Sequence, residues 1–278
     1  PEETLKQLTA YYDGYHFCHR NMIDIFNPFS FINALDDREL RNYWASSGAT
    51  SLLPKFVDDM EMKMEYFDHC FIEGDTLETS DVVNGGAELF LYQSGYLTIK
   101  GYDDGVYILG FPNFEVRKAL YRVVVPALTM KSNSEVVSAQ SFLRKMMQDG
   151  NTAEAKKALK ALIADVPYSN KKMASMDMEE RYRLIMSTIF RALGFRVEVE
   201  RMLATGRIDM IVEVPSFIYV LELKLSNNGG ISAAESQIKE KSYTEPFKAD
   251  KRKVIALAVE LDETGKGLID WKEVDESL

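Results

Sequence analysis

The chain has 278 residues, with 33 Lys and Arg against 43 Asp and Glu, a net charge of −10 and 46% hydrophobic residues. This composition is typical of a globular protein, and the length predicts two ordinary domains. The acidic balance excludes a protein that coats nucleic acid through bulk positive charge, but it leaves room for a localised basic groove. The two cysteines are too few for a disulfide framework and predict a cytoplasmic protein, and no apolar run is long enough to cross a membrane.

The acidic charge is concentrated in the N-terminal part. Residues 171–278 contain 17 Lys and Arg against 19 Asp and Glu, which leaves 16 against 24 for residues 1–170. The C-terminal part is therefore nearly neutral and can offer a local surface for phosphate groups. Its candidate phosphate contacts are Lys171, Lys172, Arg181, Arg183, Lys239, Lys241, Lys248, Lys251, Arg252 and Lys253.

The N-terminal part is predicted to be mainly helical. One helix ends at Tyr12, and a second begins at Asn27-Pro28, because Asn is a good N-cap and Pro suits the first helical position. A hairpin with the turn Asp104-Gly105 interrupts the later helices. Those helices are amphipathic segments near residues 85–94, 113–130, 134–149 and 152–164.

The polar segment 165–172 contains a helix-breaking Pro and predicts the linker between the two domains. We therefore expect domains at residues 1–168 and 169–278. The second should begin with a helix over 177–193, followed by three strands, a helix and two strands. This order predicts an α+β protein with a small mixed sheet flanked by helices. The predicted segments are 197–203, 207–214, 217–225, 232–243, 254–259 and 268–271.

Two of these strands, joined by a tight Pro-Ser turn, carry ionisable residues in apolar surroundings. Side chains alternate between the faces of a strand, so Glu222 and Lys224 share one face, and a regular hairpin brings Asp209 level with them. Two carboxylates resist ionising together unless a cation lies between them, and Mg²⁺ or Mn²⁺ takes such oxygen ligands. The pattern predicts metal-assisted hydrolysis of a phosphodiester, with Lys224 next to the attacking water.

Two competing interpretations involve other residues. Glu213 shares a face with Asp209, but its position near the Pro215 turn predicts an outer residue. The second competing interpretation is a zinc site in the N-terminal part, although the spacing of its candidate ligands fits no standard zinc finger. The candidate zinc ligands are His16, Cys18, His19, His69 and Cys70.

The spacing of Asp209, twelve intervening residues and Glu222-Leu223-Lys224 resembles the signature of PD-(D/E)XK nucleases. The fuller similarity, across residues 179–274, is to the nuclease domain fused to AAA-ATPase-like proteins common in gut and oral anaerobic bacteria. This resemblance implies a restriction-endonuclease-like domain with Mg²⁺ or Mn²⁺ held by Asp209 and Glu222.

The same resemblance implies roles for residues on two helices. Gln237 and Tyr243 lie on or just after the second helix and would support the site or contact the nucleic-acid backbone. An acidic residue of the first helix would be a further ligand, and Glu179 fits better than Glu180 because Tyr182 then matches the family's aromatic residue. Arg183 departs from the family, since many relatives have His there.

Motifs of the N-terminal part resemble the lid-side part of the ATPase-like module in the same proteins. The sequence contains no G-x-x-x-x-G-K-[ST], so we do not expect it to hydrolyse ATP. Because the chain starts at Pro1 inside a predicted helix, we expect a fragment whose partner is the absent ATP-binding part. The motifs are Tyr12–Phe17, Phe26–Ser30, Tyr43–Gly48, Tyr92–Leu97 and Gly110–Val116.

Two functions from different classes follow. The first is a nuclease domain acting on nucleic acid, with DNA as the expected substrate. The alternative is a recognition module with a nuclease fold that binds nucleic acid or protein without cleaving it. Arg183 and the acidic balance favour the alternative, whereas intact Asp209, Glu222, Lys224 and Gln237 favour the enzyme. A purely structural adaptor would leave the buried charges unexplained.

Overall fold

The computed structural model describes residues 2–47, 67–78, 86–129, 131–164 and 176–275. The chain divides into two compact units, Pro1–Val124 and Val125–Leu278. The predicted α+β class is confirmed, with a helical N-terminal part and a C-terminal mixed sheet flanked by helices. Among the described helices, none is long and apolar enough for a membrane crossing.

The N-terminal unit contains helices and a three-stranded antiparallel sheet in the order β1-β3-β2. The Asn27 side chain accepts a hydrogen bond from the N–H of Ser30, which confirms the predicted cap. Asp104 and Gly105 have φ values of 41° and 86°, as the tight turn between β2 and β3 requires. The elements are α1 Glu2–Tyr12, α2 Pro28–Asp37, β1 Cys70–Glu73, α3 Gly74–Leu77, α4 Gly86–Gln93, β2 Thr98–Asp103, β3 Val106–Gly110 and α5 Phe114–Thr129, which crosses the division between the units.

The C-terminal unit contains a five-stranded sheet in the order β4-β5-β6-β7-β8. All neighbouring strands are antiparallel except β6 and β7, which are parallel and joined by a crossover that includes helix α9. The elements are α6 Asn133–Gln148, α7 Thr152–Ile163, α8 Met178–Ala192, β4 Arg196–Leu203, β5 Gly206–Glu213, β6 Phe217–Leu225, α9 Gly230–Lys241, β7 Lys253–Leu261 and β8 Leu268–Val274.

Helix α9 covers one face of this sheet. Its buried residues Ala234 and Ile238 belong to the same core cluster as Ile211 of β5 and Val220 of β6. Alternation along the strands puts Asp209 on the face of Ile211, and Glu222 and Lys224 on the face of Val220. The ionisable residues of the predicted site therefore lie on the side of the sheet that α9 covers.

Helices α6 and α7 pack with the sheet of the C-terminal unit. The indole N–H of Trp271 donates to the carbonyl oxygen of Thr152 at 3.0 Å, and the Tyr219 hydroxyl donates to the carbonyl oxygen of Met147 at 2.6 Å. The expected domain boundary at residue 168 would separate these helices from the sheet, whereas the compact unit includes them. The predicted linker 165–172 lies outside the described residues.

Candidate active site

The β5–β6 hairpin brings Asp209 and Glu222 together. Met210 pairs with Leu221 across the ladder, so the next pair outward places Asp209 opposite Glu222. The N–H of Leu223 donates to Oδ2 of Asp209 at 2.9 Å. Asp209 is only 3% exposed and Glu222 is fully buried. The structure thus places two carboxylates side by side in a position largely removed from water.

The Glu222 carboxylate is only half satisfied by protein groups. Its Oε1 accepts a hydrogen bond from Nζ of Lys224 at 2.8 Å, whereas the buried Oε2 receives no hydrogen bond from a protein donor. Burial raises the pKa of Glu222 to about 8, with a further contribution from the Asp209 carboxylate and an opposing one from Lys224. A buried carboxylate oxygen that lacks a partner and lies beside a second carboxylate is an environment that a divalent cation would neutralise.

Lys224 is held as a cation in this site. Burial lowers its pKa, but the hydrogen bond and the attraction from Glu222 outweigh that effect, so the pKa lies above its ordinary value. The negative charges of Asp209 and Glu179 also raise the pKa of Lys224. The ammonium group is therefore placed to attract an anion or orient a water molecule beside Glu222.

Glu179 lies near the carboxylate pair from the first turn of α8. The side chain of the N-cap residue Asp177 accepts a hydrogen bond from the Glu179 N–H at 3.1 Å. Burial raises the pKa of Glu179, and the negative charge of Asp209 raises it further, while Lys224 and Arg183 oppose the change. Within the described parts of the chain, no group of three or more acidic, His or Cys side chains is arranged to hold a metal. Mg²⁺ in proteins is commonly held by one or two carboxylates with water and phosphate completing its shell, so Asp209 and Glu222 are the two candidate ligands.

Gln237 and Tyr243 connect α9 to the start of β5. The Gln237 side-chain amide donates to the Tyr243 hydroxyl at 3.0 Å, and that hydroxyl donates to the carbonyl oxygen of Arg207 at 2.7 Å. Tyr243 is fully buried, so its hydroxyl is directed at groups of the protein itself. Its hydrogen bonds fix the strand two residues before Asp209.

Glu200 is a neighbour of the site that the sequence alone does not indicate. It lies on β4 between Val199, which pairs with Met210, and Arg201, which pairs with Ile208, and this register puts it opposite Asp209. Its φ of 54° is in the left-handed region, which is uncommon for a residue other than Gly. Only the pairing of β4 with β5 shows that Glu200 lies opposite Asp209, and the sequence does not specify the register of that pairing.

Arg183 bridges Glu200 and Asp209. One terminal nitrogen lies 3.4 Å from Oδ1 of Asp209, and the other lies 3.4 Å from Oε1 of Glu200. Arg207 also contacts Glu200, at 2.8 Å. The sequence predicts a phosphate contact for Arg183, whereas in the structure its guanidinium contacts the Asp209 carboxylate of the site itself.

Other predicted residues have different environments. Glu213 forms ion pairs with Arg196 and Arg252, which agrees with an outer position. Arg181 is only 2% exposed, so the expectation that it contacts phosphate is wrong for this structure, because burial removes it from the surface. Lys171 and Lys172 lie outside the described residues.

The structure does not assemble the candidate zinc ligands, and among the described residues no metal-binding group of this type is present. His16 contacts the carbonyl oxygen of Ile99 and the Asp24 carboxylate, both at 2.9 Å. Cys70 is buried, and its thiol donates weakly to the carbonyl oxygen of Leu109 at 3.8 Å. These side chains thus have partners other than a shared metal.

Comparisons with known proteins agree with the C-terminal assignment. Over 286 aligned residues the chain is 25% identical to an uncharacterized protein in the vnfD 5′ region of Azotobacter chroococcum mcd 1. The alignment covers 98% of this chain and 52% of that protein, so the chain spans about half the length of this relative. No solved structure matches the chain significantly. Residues 177–271 match the family model of the PD-(D/E)XK nuclease superfamily, and this segment is a domain of that superfamily.

Proposed function

We propose that the C-terminal domain is a divalent-metal-dependent nuclease that hydrolyses phosphodiester bonds, with DNA as its substrate. The observation that carries this proposal is the buried Oε2 of Glu222, which receives no hydrogen bond from a protein donor and lies beside the Asp209 carboxylate. The superfamily match supports it, since PD-(D/E)XK nucleases generally use divalent metal ions and act on nucleic acid. The donor set of two carboxylates suits Mg²⁺ or Mn²⁺.

Each residue of the proposed site would have a distinct role. Asp209 and Glu222 would hold the cation, which when bound supplies charge stabilisation to the phosphate. Lys224 would orient the water that attacks phosphorus, since its ammonium lies beside Glu222. Glu179 would tune the charge of the carboxylate pair from α8. Gln237 and Tyr243 would hold β5 in place through the Arg207 carbonyl group.

The N-terminal part is proposed to be the lid-side part of an AAA-ATPase-like module. The superfamily match begins at residue 177, so this second proposal rests on the motifs of residues 1–168 alone. The greater length of the matched relative is compatible with a further segment in the whole protein. Co-purification of this chain with a separately expressed ATP-binding segment from the same gene would test the proposal.

A cleavage assay tests the nuclease proposal. Labelled single- and double-stranded DNA, and RNA of the same sequence, would be incubated with protein in Mg²⁺, Mn²⁺ or EDTA. We expect metal-dependent cleavage of DNA by the wild type and its loss in Asp209→Asn and Glu222→Gln. Glu213→Gln is the matched control, because Glu213 is on the same strand as Asp209 but pairs with Arg196 and Arg252. Cleavage that persists in both site variants would contradict the proposed site.

One observation favours the non-cleaving alternative. The Arg183 guanidinium contacts Asp209, so one of the two carboxylates already has a positively charged partner within the protein. If wild type and both site variants bind DNA equally but none cleaves DNA or RNA with Mg²⁺ or Mn²⁺, the recognition function replaces the nuclease proposal.

A further inference from the structure

Arg183 lies among acidic groups of three different elements. Its guanidinium contacts Asp209 of β5 and Glu200 of β4, and it influences Glu179 one turn earlier on α8. The Arg183 side chain is only 12% exposed. Its positive charge therefore offsets repulsion between carboxylates that would otherwise face one another at low dielectric.

The two oxygens of Asp209 have different partners. Oδ2 accepts the hydrogen bond from the Leu223 N–H at 2.9 Å, whereas Oδ1 contacts Arg183 at 3.4 Å. The second contact is at the long end of the hydrogen-bond range and is weaker than a close ion pair. Oδ1 is thus the oxygen that a cation can recruit at the least cost to the fold.

Glu200 provides a second anchor for the same guanidinium. It contacts Arg183 at 3.4 Å through one side-chain oxygen, and its side chain is 44% exposed. The same oxygen forms a closer ion pair with Arg207, at 2.8 Å. When Arg183 leaves Asp209, Glu200 can retain it without further burial of charge.

We propose that the Arg183 guanidinium and a divalent cation compete for Oδ1 of Asp209, and that Glu200 retains the guanidinium when the cation binds. Arg183 is then a positioning residue that keeps the carboxylates together in the metal-free protein. Once the Arg183 guanidinium has left Asp209, its positive charge can attract a phosphate group beside the metal. This inference rests on the proposed metal site and adds to it a coupling between metal binding and substrate binding.

Equilibrium binding of Mn²⁺, followed by electron paramagnetic resonance of the free ion, tests the competition without catalysis. We expect Arg183→Gln to lower the Kd for Mn²⁺ by roughly threefold to tenfold, because a repelling charge is removed. Arg183→Lys keeps the positive charge, so it should lower the Kd by less than Arg183→Gln does. Glu200→Gln should raise the Kd, because the guanidinium then has only Asp209 as its anchor.

Arg207→Gln is the matched control, because the Arg207 guanidinium forms an ion pair with Glu200, whereas that of Arg183 also contacts Asp209. It should change the Kd for Mn²⁺ by less than about twofold, since an exposed charge is screened by salt. In parallel, fluorescence anisotropy of a labelled DNA duplex in Ca²⁺ should show weaker binding to Arg183→Gln. Circular dichroism would establish that each variant is folded.

The outcomes separate this inference from the function on which it rests. If wild type and Arg183→Gln bind Mn²⁺ with the same Kd, Arg183 does not compete and the inference is overturned, while the metal site stands. If Arg183→Gln and Arg207→Gln tighten binding equally, the effect is one of general charge and the inference is again overturned. If no folded protein binds Mn²⁺, the proposed metal site fails and the inference fails with it.

Discussion

The N–H of Leu223 donates a hydrogen bond of 2.9 Å to Oδ2 of Asp209 across the β5–β6 hairpin. This bond locks the orientation of the Asp209 carboxylate relative to the strand that carries Glu222 and Lys224. It also explains why the spacing between Asp209 and Glu222 matters, since a shift of one residue would turn one of the two side chains to the opposite face. The hairpin register therefore sets the geometry of the candidate metal site.

The stability of the metal-free protein should depend on pH through Glu222. Burial raises its pKa from 4.5 to about 8, so between these values the folded state binds more protons than the unfolded state. The free energy of unfolding should then fall as pH rises from about 5 to 8, by at most about 1.4 kcal/mol per pH unit from this group. Urea unfolding in EDTA at several pH values measures this slope. Glu222→Gln should flatten the curve, and identical slopes in the two proteins would refute the assignment.

Lys224→Met should abolish cleavage while leaving metal binding in place. The ammonium group contacts Oε1 of Glu222, whereas Oε2 stays available. Loss of a group that orients the nucleophile commonly costs a factor of about 10²–10⁴ in rate. Single-turnover cleavage and Mn²⁺ binding would be measured together, with Lys157→Met as a control at an exposed position on α7, where the Lys157 ammonium pairs with Glu154. A rate within threefold of wild type would rule out the proposed role of Lys224.

Tyr243→Phe should weaken both the fold and the site. The variant loses a hydrogen bond to the Arg207 carbonyl group and another from Gln237, and we expect it to destabilise the protein by about 1–3 kcal/mol. Tyr219→Phe is the matched control, because that buried hydroxyl donates to the Met147 carbonyl group outside the site. Cleavage measured well below the unfolding temperature should fall several-fold in the first variant only. Equal rates in the two variants would show that Tyr243 serves stability alone.

Gly150→Ala should destabilise the C-terminal unit through a clash with the sheet. Gly150 has a φ of +73°, and a Cβ atom there would lie 2.5 Å from the Phe217 ring. Strain and overlap together should cost about 2–4 kcal/mol. Phe217→Leu would make room, so the cost of Gly150→Ala should be smaller in that background when unfolding is followed in urea. An equal cost in both backgrounds would mean that α6 and α7 do not depend on this contact.

The sequence predicts the candidate site well where local patterns decide the geometry. Alternation along two strands and the Pro215-Ser216 turn are enough to place Asp209 level with Glu222 and Lys224, as the structure has them. The order of helices and strands after residue 176 is confirmed for the same reason, because each segment carries its own periodicity.

Tertiary relationships are less accessible from the sequence. Arg183 meets Asp209 only because α8 packs against the sheet in a particular way, and no spacing along the chain encodes that contact. The amphipathic patterns of α6 and α7 show that one face is buried, but not that the partner is the C-terminal sheet. Strand β1 was missed because four residues are too few for a clear alternating pattern.

The proposed nuclease function requires Asp209 and Glu222 to hold one divalent cation between them. Its most direct test is the anomalous scattering of Mn²⁺ in crystals of the wild-type protein. We expect a single strong peak at this position, with oxygen ligands from both carboxylates. A peak bound by neither residue, or none at an Mn²⁺ concentration that supports cleavage, would contradict it.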